Sequence, residues 1–368
     1  MAPKRIILAC ESLVAGNGGI ARVDRLMARV LTERGAGFAP EFHVFCDGAS
    51  RAAESAAALG APVRGYGGSR LRFSLGLWRA MFRPGGVIYD AAYYAKIHRF
   101  SPLAARRPCL IFLHGIEIWE RARRGSVAAC RRAGRLVANS AYTRDRAERC
   151  HGGFARAGVC WLGTETAEPG TPSVAPSGPP VVLVVGRMEA REGYKGHREL
   201  IAAWPEVLAR QPEARLRIVG RGGQVPELVR LAAERGVTQR VEFTGWMPEE
   251  KLADCYRTAT AFALPSRGEG FGLVYIEAMR HGLPVVASVH DAAREIVEDG
   301  RTGLLADLDR PGDLAEKIAR LLARPDEARR MGQAGQERWR EHFTFAAFRG
   351  RFRGVLEGLA EEQRAQRA

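Results

Sequence analysis

Glu269 and Glu277 stand in an E-x7-E spacing around Gly270-Phe271-Gly272-Leu273 and the helical run that follows. The free N–H groups and the dipole at a helix start suit an anion such as phosphate. A carboxylate beside a phosphate is unfavourable unless it has another task, and accepting hydrogen bonds from sugar hydroxyls is such a task. Arg187 closes an apolar run at 181–185, and Lys195 follows within Gly193-Tyr194-Lys195-Gly196. The rigid guanidinium fork fits phosphate oxygens, and the ammonium adds a mobile point charge. Brought together, these groups make a diphosphate cradle for a nucleotide that carries a sugar. The blander alternative is a glycine-rich turn with a solvated glutamate, and two surface cations paired with Glu189, Glu192 or Glu199.

A second set lies earlier in the chain. His114 ends the apolar run 109–113 and precedes Gly115-Ile116-Glu117. A polar residue at the carboxyl end of a parallel strand sits at the ligand crevice of an open α/β sheet, although a lone histidine also serves structure. Gly16-Asn17-Gly18-Gly19 follows the strand at 5–10, without the G-x-G-x-x-G spacing or the downstream acid of a dinucleotide site. A tight turn explains it equally well. Asp307-Leu308-Asp309 has the shape of a divalent-cation motif. It follows Gly303-Leu304-Leu305 in what reads as a loop, far in sequence from the cradle, and Pro311-Gly312 come next. Approach to a helix and capping account for it, so no metal is expected.

The elements that must position these residues alternate. Strands are expected at 5–10, 42–46, 109–113 and 136–138, with helices at 21–33, 70–83 and 139–149. Residues 166–180 are rich in Pro, Ser, Thr and Gly and form a linker. The rhythm restarts with strands at 181–185, 216–219, 241–243, 261–264 and 283–287. Helices are expected at 197–209, 225–235, 251–258, 273–281, 292–299 and 313–322, with a helical tail from about 345. Alternation in both halves predicts an α/β class with two parallel sheets. The domains are 1–165, the linker 166–180, 181–344, and the C-terminal helix 345–368.

The 368 residues are 46% hydrophobic, enough for two packed cores, and contain no apolar run long enough to span a membrane. The amino-terminal stretch turns polar too soon for a signal peptide. Seven scattered cysteines without a C-x-x-C pair point to reduced thiols in the cytoplasm and away from zinc. The net charge is +15, of which residues 1–165 hold +14. The first half therefore faces something anionic: nucleic acid, a phosphorylated acceptor or an anionic membrane. Residues 70–83 set Phe73, Leu77, Trp78, Met81 and Phe82 among arginines. This stretch lies either on a membrane interface or on its own sheet with snorkelling arginines. The basic stretch 121–135 is expected to be a solvated face.

In order along the chain, these motifs resemble the retaining GT-B-fold glycosyltransferases of family 4 (group 1). The residues that carry the likeness are Gly18-Gly19-Ile20-Ala21-Arg22, His114-Gly115, Asn139-Ser140, Gly186-Arg187, Lys195-Gly196, Pro265-Ser266, Glu269-Gly270-Phe271-Gly272, Glu277-Ala278-Met279, Gly282 and Pro284-Val285-Val286. The resemblance implies two Rossmann-like domains facing a cleft, the C-terminal one holding the nucleotide sugar. Arg187 and Lys195 would then hold the diphosphate, with Glu269 on the sugar and Glu277 on the ribose. Backbone N–H groups of Gly270, Phe271, Gly272 and Leu273 would line the phosphate and sugar. Gly18 and Gly19 would approach the reaction centre, His114 the transferred sugar, and Trp246 and Met247 the base. Retention by front-side attack is the mechanism it implies; a double displacement would need a carboxylate, for which Glu117 is the candidate. No cofactor is implied beyond the donor substrate, a GDP- or UDP-hexose.

Gly193-Tyr194-Lys195-Gly196-His197 and His114-Gly115-Ile116-Glu117 are similar to bacterial enzymes that add sugars, often mannose, to lipid-linked exopolysaccharide or lipopolysaccharide precursors. Such an enzyme would be cytoplasmic, with a saccharide or polyprenyl-diphosphate-linked acceptor and peripheral contact with the inner face of the membrane. Two other classes compete: a sugar-nucleotide epimerase or phosphorylase, and a basic non-catalytic binder. A nucleic-acid binder would interleave aromatics with its cations on one face and would leave the phosphate cradle unexplained, so nucleic acid is not the expected partner.

Overall fold

A computed structural model describes residues 3–16, 18–101, 108–166, 168–170 and 178–365, with only the backbone of 360–365. The chain forms two compact units, Met1–Glu165 with Phe345–Ala368, and Thr166–Thr344. Most of the segment expected to be a linker lies outside the described residues.

Unit 1 holds the strands β1 (Lys4–Cys10), β2 (Phe38–Val44), β3 (Val63–Gly65), β4 (Gly86–Tyr89), β5 (Cys109–Leu113), β6 (Arg135–Ala138) and β7 (Gly158–Val159). Its helices are α1 (Gly19–Thr32), α2 (Ala49–Leu59), α3 (Arg70–Ala80), α4 (Arg124–Arg132) and α5 (Ala141–His151). All pairings are parallel, in the order β3-β2-β1-β4-β5-β6-β7. A parallel sheet is covered on both faces, which is why β1, β4 and β5 are near-continuous apolar runs. The order reverses between β1 and β4, so the loops after these strands open the crevice of this sheet.

Unit 2 repeats the scheme. Its strands are β8 (Val181–Val185), β9 (Arg215–Val219), β10 (Val241–Gly245), β11 (Ala261–Ala263), β12 (Val285–Ser288) and β13 (Gly303–Ala306). The helices are α6 (His197–Arg210), α7 (Val225–Glu234), α8 (Glu249–Thr258), α9 (Leu273–Arg280), α10 (Ala293–Ile296), α11 (Asp313–Ala323) and α12 (Pro325–His342). The strand order is β10-β9-β8-β11-β12-β13, all parallel, with the reversal between β8 and β11. Trp204 and Phe262 are fully buried in this core; side chains of that size each contribute about 2–3 kcal/mol. The last helix, α13 (Phe345–Ala365), returns to unit 1. There Arg353 pairs with Glu33 at 2.6 Å, and the guanidinium of Arg29 lies 3.8 Å over the Phe345 ring.

Several elements differ from the sequence expectation. Strand β2 runs 38–44 rather than 42–46, because pairing with β1 from Lys4↔Phe38 onward carries it through Pro40. Gly303–Ala306, for which no strand was expected, is the edge strand β13, and the D-x-D segment follows it as a loop; a Cβ on Gly303 would meet the Val285 carbonyl at 2.1 Å, so glycine is what lets the strand dock. The helix expected over 292–299 is a single turn, α10. Helix α12 has few large apolar residues, and two glycines fall on its buried face with Ala328, Met331 and Trp339. Gly332 is a contact rather than a break: a Cβ there would lie 1.9 Å from the Gly282 carbonyl. Residues 168–170 pack onto unit 2 itself, with Gly170 donating to the Arg280 carbonyl at 3.1 Å.

Candidate active site

The strand reversal in unit 2 places the loop after β8 beside the loop after β11. Close backbone approaches hold the β8 loop to its neighbours on both sides. Gly220, just after β9, has φ +145, and a Cβ there would meet the Gly186 carbonyl at 1.9 Å. Gly196, at φ +82, leaves no room for a side chain against the Pro265 carbonyl, 2.2 Å from where its Cβ would be. Between them the 3-10 turn Ala190–Lys195 lays the Tyr194 ring on Gly268, and the Tyr194 carbonyl accepts the Arg267 N–H at 2.8 Å.

This zipper brings Lys195 to Glu269. Nζ donates to Oε1 at 2.6 Å, with the two side chains 15% and 14% exposed. Burial alone would lower the Lys195 ammonium, but the Glu269 carboxylate outweighs it and the net shift is upward, so the lysine stays charged. Tyr194 lies under the ammonium at 5.5 Å, its hydroxyl pushed up to about 12 by burial and then by Glu269. Arg187 is exposed and ion-paired with Glu192, one of the three acids expected to neutralise a surface cation. Lys195 takes none of those three.

Glu269 and Glu277 are held separately. The Glu269 N–H donates to Asp291 Oδ2 at 3.0 Å, and Oδ1 of the same carboxylate takes the Ala293 N–H at 2.9 Å. Asp291 is fully buried, and burial pushes its carboxyl up to about 7 against the lowering effect of these bonds. Glu277 accepts the Tyr256 hydroxyl at 3.0 Å, and the Tyr256 ring stacks on His281 with centroids 5.2 Å apart. Gly272, at φ +87, starts α9 where a Cβ would strike the Tyr275 ring at 2.4 Å, and no side chain caps the helix. The Tyr275 N–H donates to the Gly272 carbonyl at 3.0 Å, and the N–H groups of Leu273 and Val274 before it are available to an anion. Phe271 is buried edge-on to Phe343, which fixes the backbone of Gly270 and Gly272 around it. Trp246 is 58% exposed, and Met247 Sδ accepts the Cys255 thiol at 3.6 Å. Both follow β10, at the sheet edge two strands from β8, and the thiol contact ties Met247 to α8 rather than to the Lys195–Glu269 pair.

The D-x-D segment is not remote from this cradle. Arg267 of the β11 loop donates to Asp309 Oδ1 at 2.7 Å, and His290 Nε2 lies 3.2 Å from Asp307 Oδ1. Ligand atoms of His290, Asp307 and Asp309 fall within 4.8 Å of one another. Two facts favour structure over a cation. Arg267 already supplies positive charge, and His290 Nε2 accepts the Leu308 N–H at 3.1 Å. The Asp307 N–H goes to Asp313 at the start of α11, 2.8 Å away, as a helix approach requires.

In unit 1, the loop carrying Gly18 and Gly19 is gripped by buried acids. Asp24 Oδ2 takes the Glu11 and Ser12 N–H groups at 3.1 and 3.2 Å, Asp90 Oδ2 that of Glu11 at 2.9 Å, and Asp47 that of Leu13 at 2.9 Å. Burial pushes the carboxyls of Asp24 and Asp90 up, and their mutual hydrogen bond requires a proton between them. Gly18 turns at φ +95 to open α1, with Gly19 its first residue. His114 follows β5; its Nε2 is buried without a partner among the described residues. Burial lowers its pKa, countered in part by Glu117 and by a bond to the Asp90 backbone, so the ring is neutral. Glu117 takes the His114 N–H at 2.6 Å, closing its own turn.

Asp291, Tyr256 and Asp24 have no sequence signal as site residues, because each acts through a partner distant along the chain, whereas Tyr194 lies within Gly193-Tyr194-Lys195-Gly196-His197. His197 does sit in a quoted motif. It is buried beneath Gly186 and Lys195, and burial, then Lys195, lowers it to about 4.

Residues 171–338 match the family model described as glycosyl transferases group 1. Unit 2 belongs to that family. A GDP-mannose-dependent alpha-(1-6)-phosphatidylinositol monomannoside mannosyltransferase of Mycolicibacterium smegmatis is 36% identical over 193 residues, half of each chain. A D-inositol 3-phosphate glycosyltransferase of Nocardia farcinica is 40% identical over 162 residues, 42% of this chain and 35% of that one. The chain thus spans half or less of the length of these curated relatives. Among solved structures, the Anabaena protein HepE in complex with UDP and glucose superposes with a TM-score of 0.77 at 20% identity, over 96% of this chain and 100% of that one. Sucrose-phosphate synthase from Thermosynechococcus elongatus gives 0.77 at 21% identity, over 97% and 99%. The fold is that of the GT-B glycosyltransferases.

Proposed function

We propose that the protein is a retaining glycosyltransferase that moves a hexose, mannose from GDP-mannose first among the candidates, to a lipid-linked saccharide acceptor in bacterial surface-polysaccharide synthesis. The observation that carries this reading is the buried Lys195–Glu269 pair at the strand reversal of unit 2, beside the uncapped start of α9. In the ligand-free protein the carboxylate occupies the ammonium. A donor diphosphate takes its place on Lys195 and on the α9 N–H groups, and Arg187 swings from Glu192 to the same phosphates. Glu269, released, accepts the sugar hydroxyls. Glu277, held by Tyr256, takes the ribose, and Trp246 and Met247 flank the base.

Bond breaking builds negative charge on the departing phosphate. Fixed cations and N–H donors stabilise that charge more than they stabilise the bound donor, and this difference lowers the barrier. The acceptor hydroxyl attacks from the face the phosphate leaves, and the phosphate takes its proton. Glu117, occupied by the His114 backbone, is not supported as a nucleophile for double displacement, and neutral His114 donates a hydrogen bond to the transferred sugar. The 36% identity to a GDP-mannose-dependent enzyme favours GDP-mannose; a UDP-sugar with a soluble acceptor is the second reading, supported by the UDP-binding fold relative. A panel of nucleotide sugars, with and without a lipid-linked acceptor extract, tests both. Acceptor-dependent transfer from GDP-mannose is expected. Conversion without acceptor would favour an epimerase or phosphorylase, and no turnover with any donor would overturn the reading.

A further inference from the structure

Between residues 55 and 116 the chain carries nine lysines and arginines and a single acid, Asp90. Asp90 is fully buried. This part of unit 1 therefore presents an outer surface without a negative charge of its own. Lys96 registers the excess: burial, then the charges of Arg123 and Arg70, lowers its ammonium.

Within this region α3 has two apolar faces. Phe73, Leu77 and Ala80 are buried toward the sheet. On the other side Leu71 is 79% exposed and Leu75 41%, and Phe82 just beyond the helix is 53% exposed. Positions 71, 75, 78 and 82 follow steps of four, three and four, which is one stripe along a helix. Trp78 completes it, its ring edge-on to Phe82 at 4.6 Å and its Nε1 donating to the Phe100 carbonyl at 2.8 Å. That bond brings in Phe100, 57% exposed, with the Arg99 guanidinium 4.4 Å over its ring. Arg70, Arg72 and Arg79 border the stripe without an ion-pair partner among the described residues, while Arg83 shares Glu41 with Arg5.

We infer that this face of α3 docks on an anionic lipid surface, with Leu71, Leu75, Phe82 and Phe100 in the headgroup boundary and the arginines on lipid phosphates. The apolar side chains and the unopposed cations are both complementary to that occupant, and a helix carrying both lies flat in an interface. Nucleic acid fits less well: leucines give no stacking platform, and the indole N–H is already used inside the protein. The inference supplies the physical route to the lipid-linked acceptor and rests on that reading only for its purpose.

Vesicle flotation of the full chain tests it, using phosphatidylglycerol-containing and pure phosphatidylcholine vesicles at low and high salt. The wild type floats with the anionic vesicles and is released by salt. Leu71→Ser with Leu75→Ser lowers partitioning by about tenfold. Arg72→Glu with Arg79→Glu lowers it by at least roughly fivefold per arginine, whereas Arg72→Lys with Arg79→Lys retains it. Circular-dichroism melts confirm that these surface variants stay folded. Equal binding to neutral vesicles, unchanged binding of the double serine variant, or single-stranded DNA displacing the vesicles would each overturn the inference. Neither donor nor acceptor enters the assay, so its failure leaves the transferase reading standing, and failed transfer leaves flotation interpretable.

Discussion

Replacing Lys195 by methionine removes the ammonium that Glu269 holds at 2.6 Å. Two effects follow, and they separate in a double-mutant cycle. Breaking a buried ion pair from one side costs about 3–5 kcal/mol because the remaining charge is stranded, and the residual exposure of both side chains places this pair at the low end. For a unit of this size 1 kcal/mol shifts the melting temperature by about 2–4 °C, so Lys195→Met is expected to melt about 6–12 °C lower. Glu269→Gln strands the lysine instead and falls by a similar amount. The double variant strands neither charge and should recover much of the loss. Catalysis should not follow. If Lys195 stabilises the leaving phosphate and Glu269 holds the sugar, losing the cation alone costs about 10²–10³ in kcat. The double variant is then at least as slow as either single one. Calorimetry and initial-rate transfer assays on the four proteins provide both cycles. Transfer by Lys195→Met within about threefold of wild type, or activity that recovers in the double variant together with melting temperature, would refute the assignment.

The pH dependence of stability offers a check on Asp291. Its folded pKa of about 7 lies above the unfolded carboxyl value, so its favourable contribution is complete below the unfolded pKa and is lost as pH rises toward 7. Asp291→Asn should remove that component, and the wild-type minus variant stability should fall by up to about 1.4 kcal/mol per pH unit across this window; parallel denaturant titrations measure it. Gly196→Ala forces a Cβ against the Pro265 carbonyl at φ +82. Misplacing Lys195 in this way should cut kcat about 10²-fold while the protein remains folded, as stopped transfer assays with a matched melting curve would show. Activity should also survive EDTA; complete loss restored by magnesium or manganese would return Asp307, Asp309 and His290 to a metal role.

Several features of the fold and of the site were legible in the chain because their causes are local. Apolar runs and helical spacing placed β5 and β8 to the residue and most helices within a few positions. The motif segments from Gly186 to Val286, which lie within the residues 171–338 that the family model matches, depend on residue type and order alone. Other features had no local cause. The register of β1 on β2 drew a proline into a strand, and edge pairing made the strand β13 of a short run that had carried no strand expectation. In α12 Gly332 weakens the helical signal because it makes room for a neighbouring backbone. Sequence distance misled at the D-x-D segment, which Arg267 joins to the cradle across forty-two positions.

By itself the sequence determined the alternation of strand and helix, the basic first half and the inventory of groups able to hold a sugar diphosphate. Periodicity, composition and residue chemistry are properties of neighbours along the chain. Tertiary structure alone decided which groups meet. Lys195 found Glu269 seventy-four positions away, Asp291 took the Glu269 N–H, and the exposed stripe of α3 was left over once its other face was buried. Pairing energies depend on distance and burial in space, and strand order in the sheets sets both.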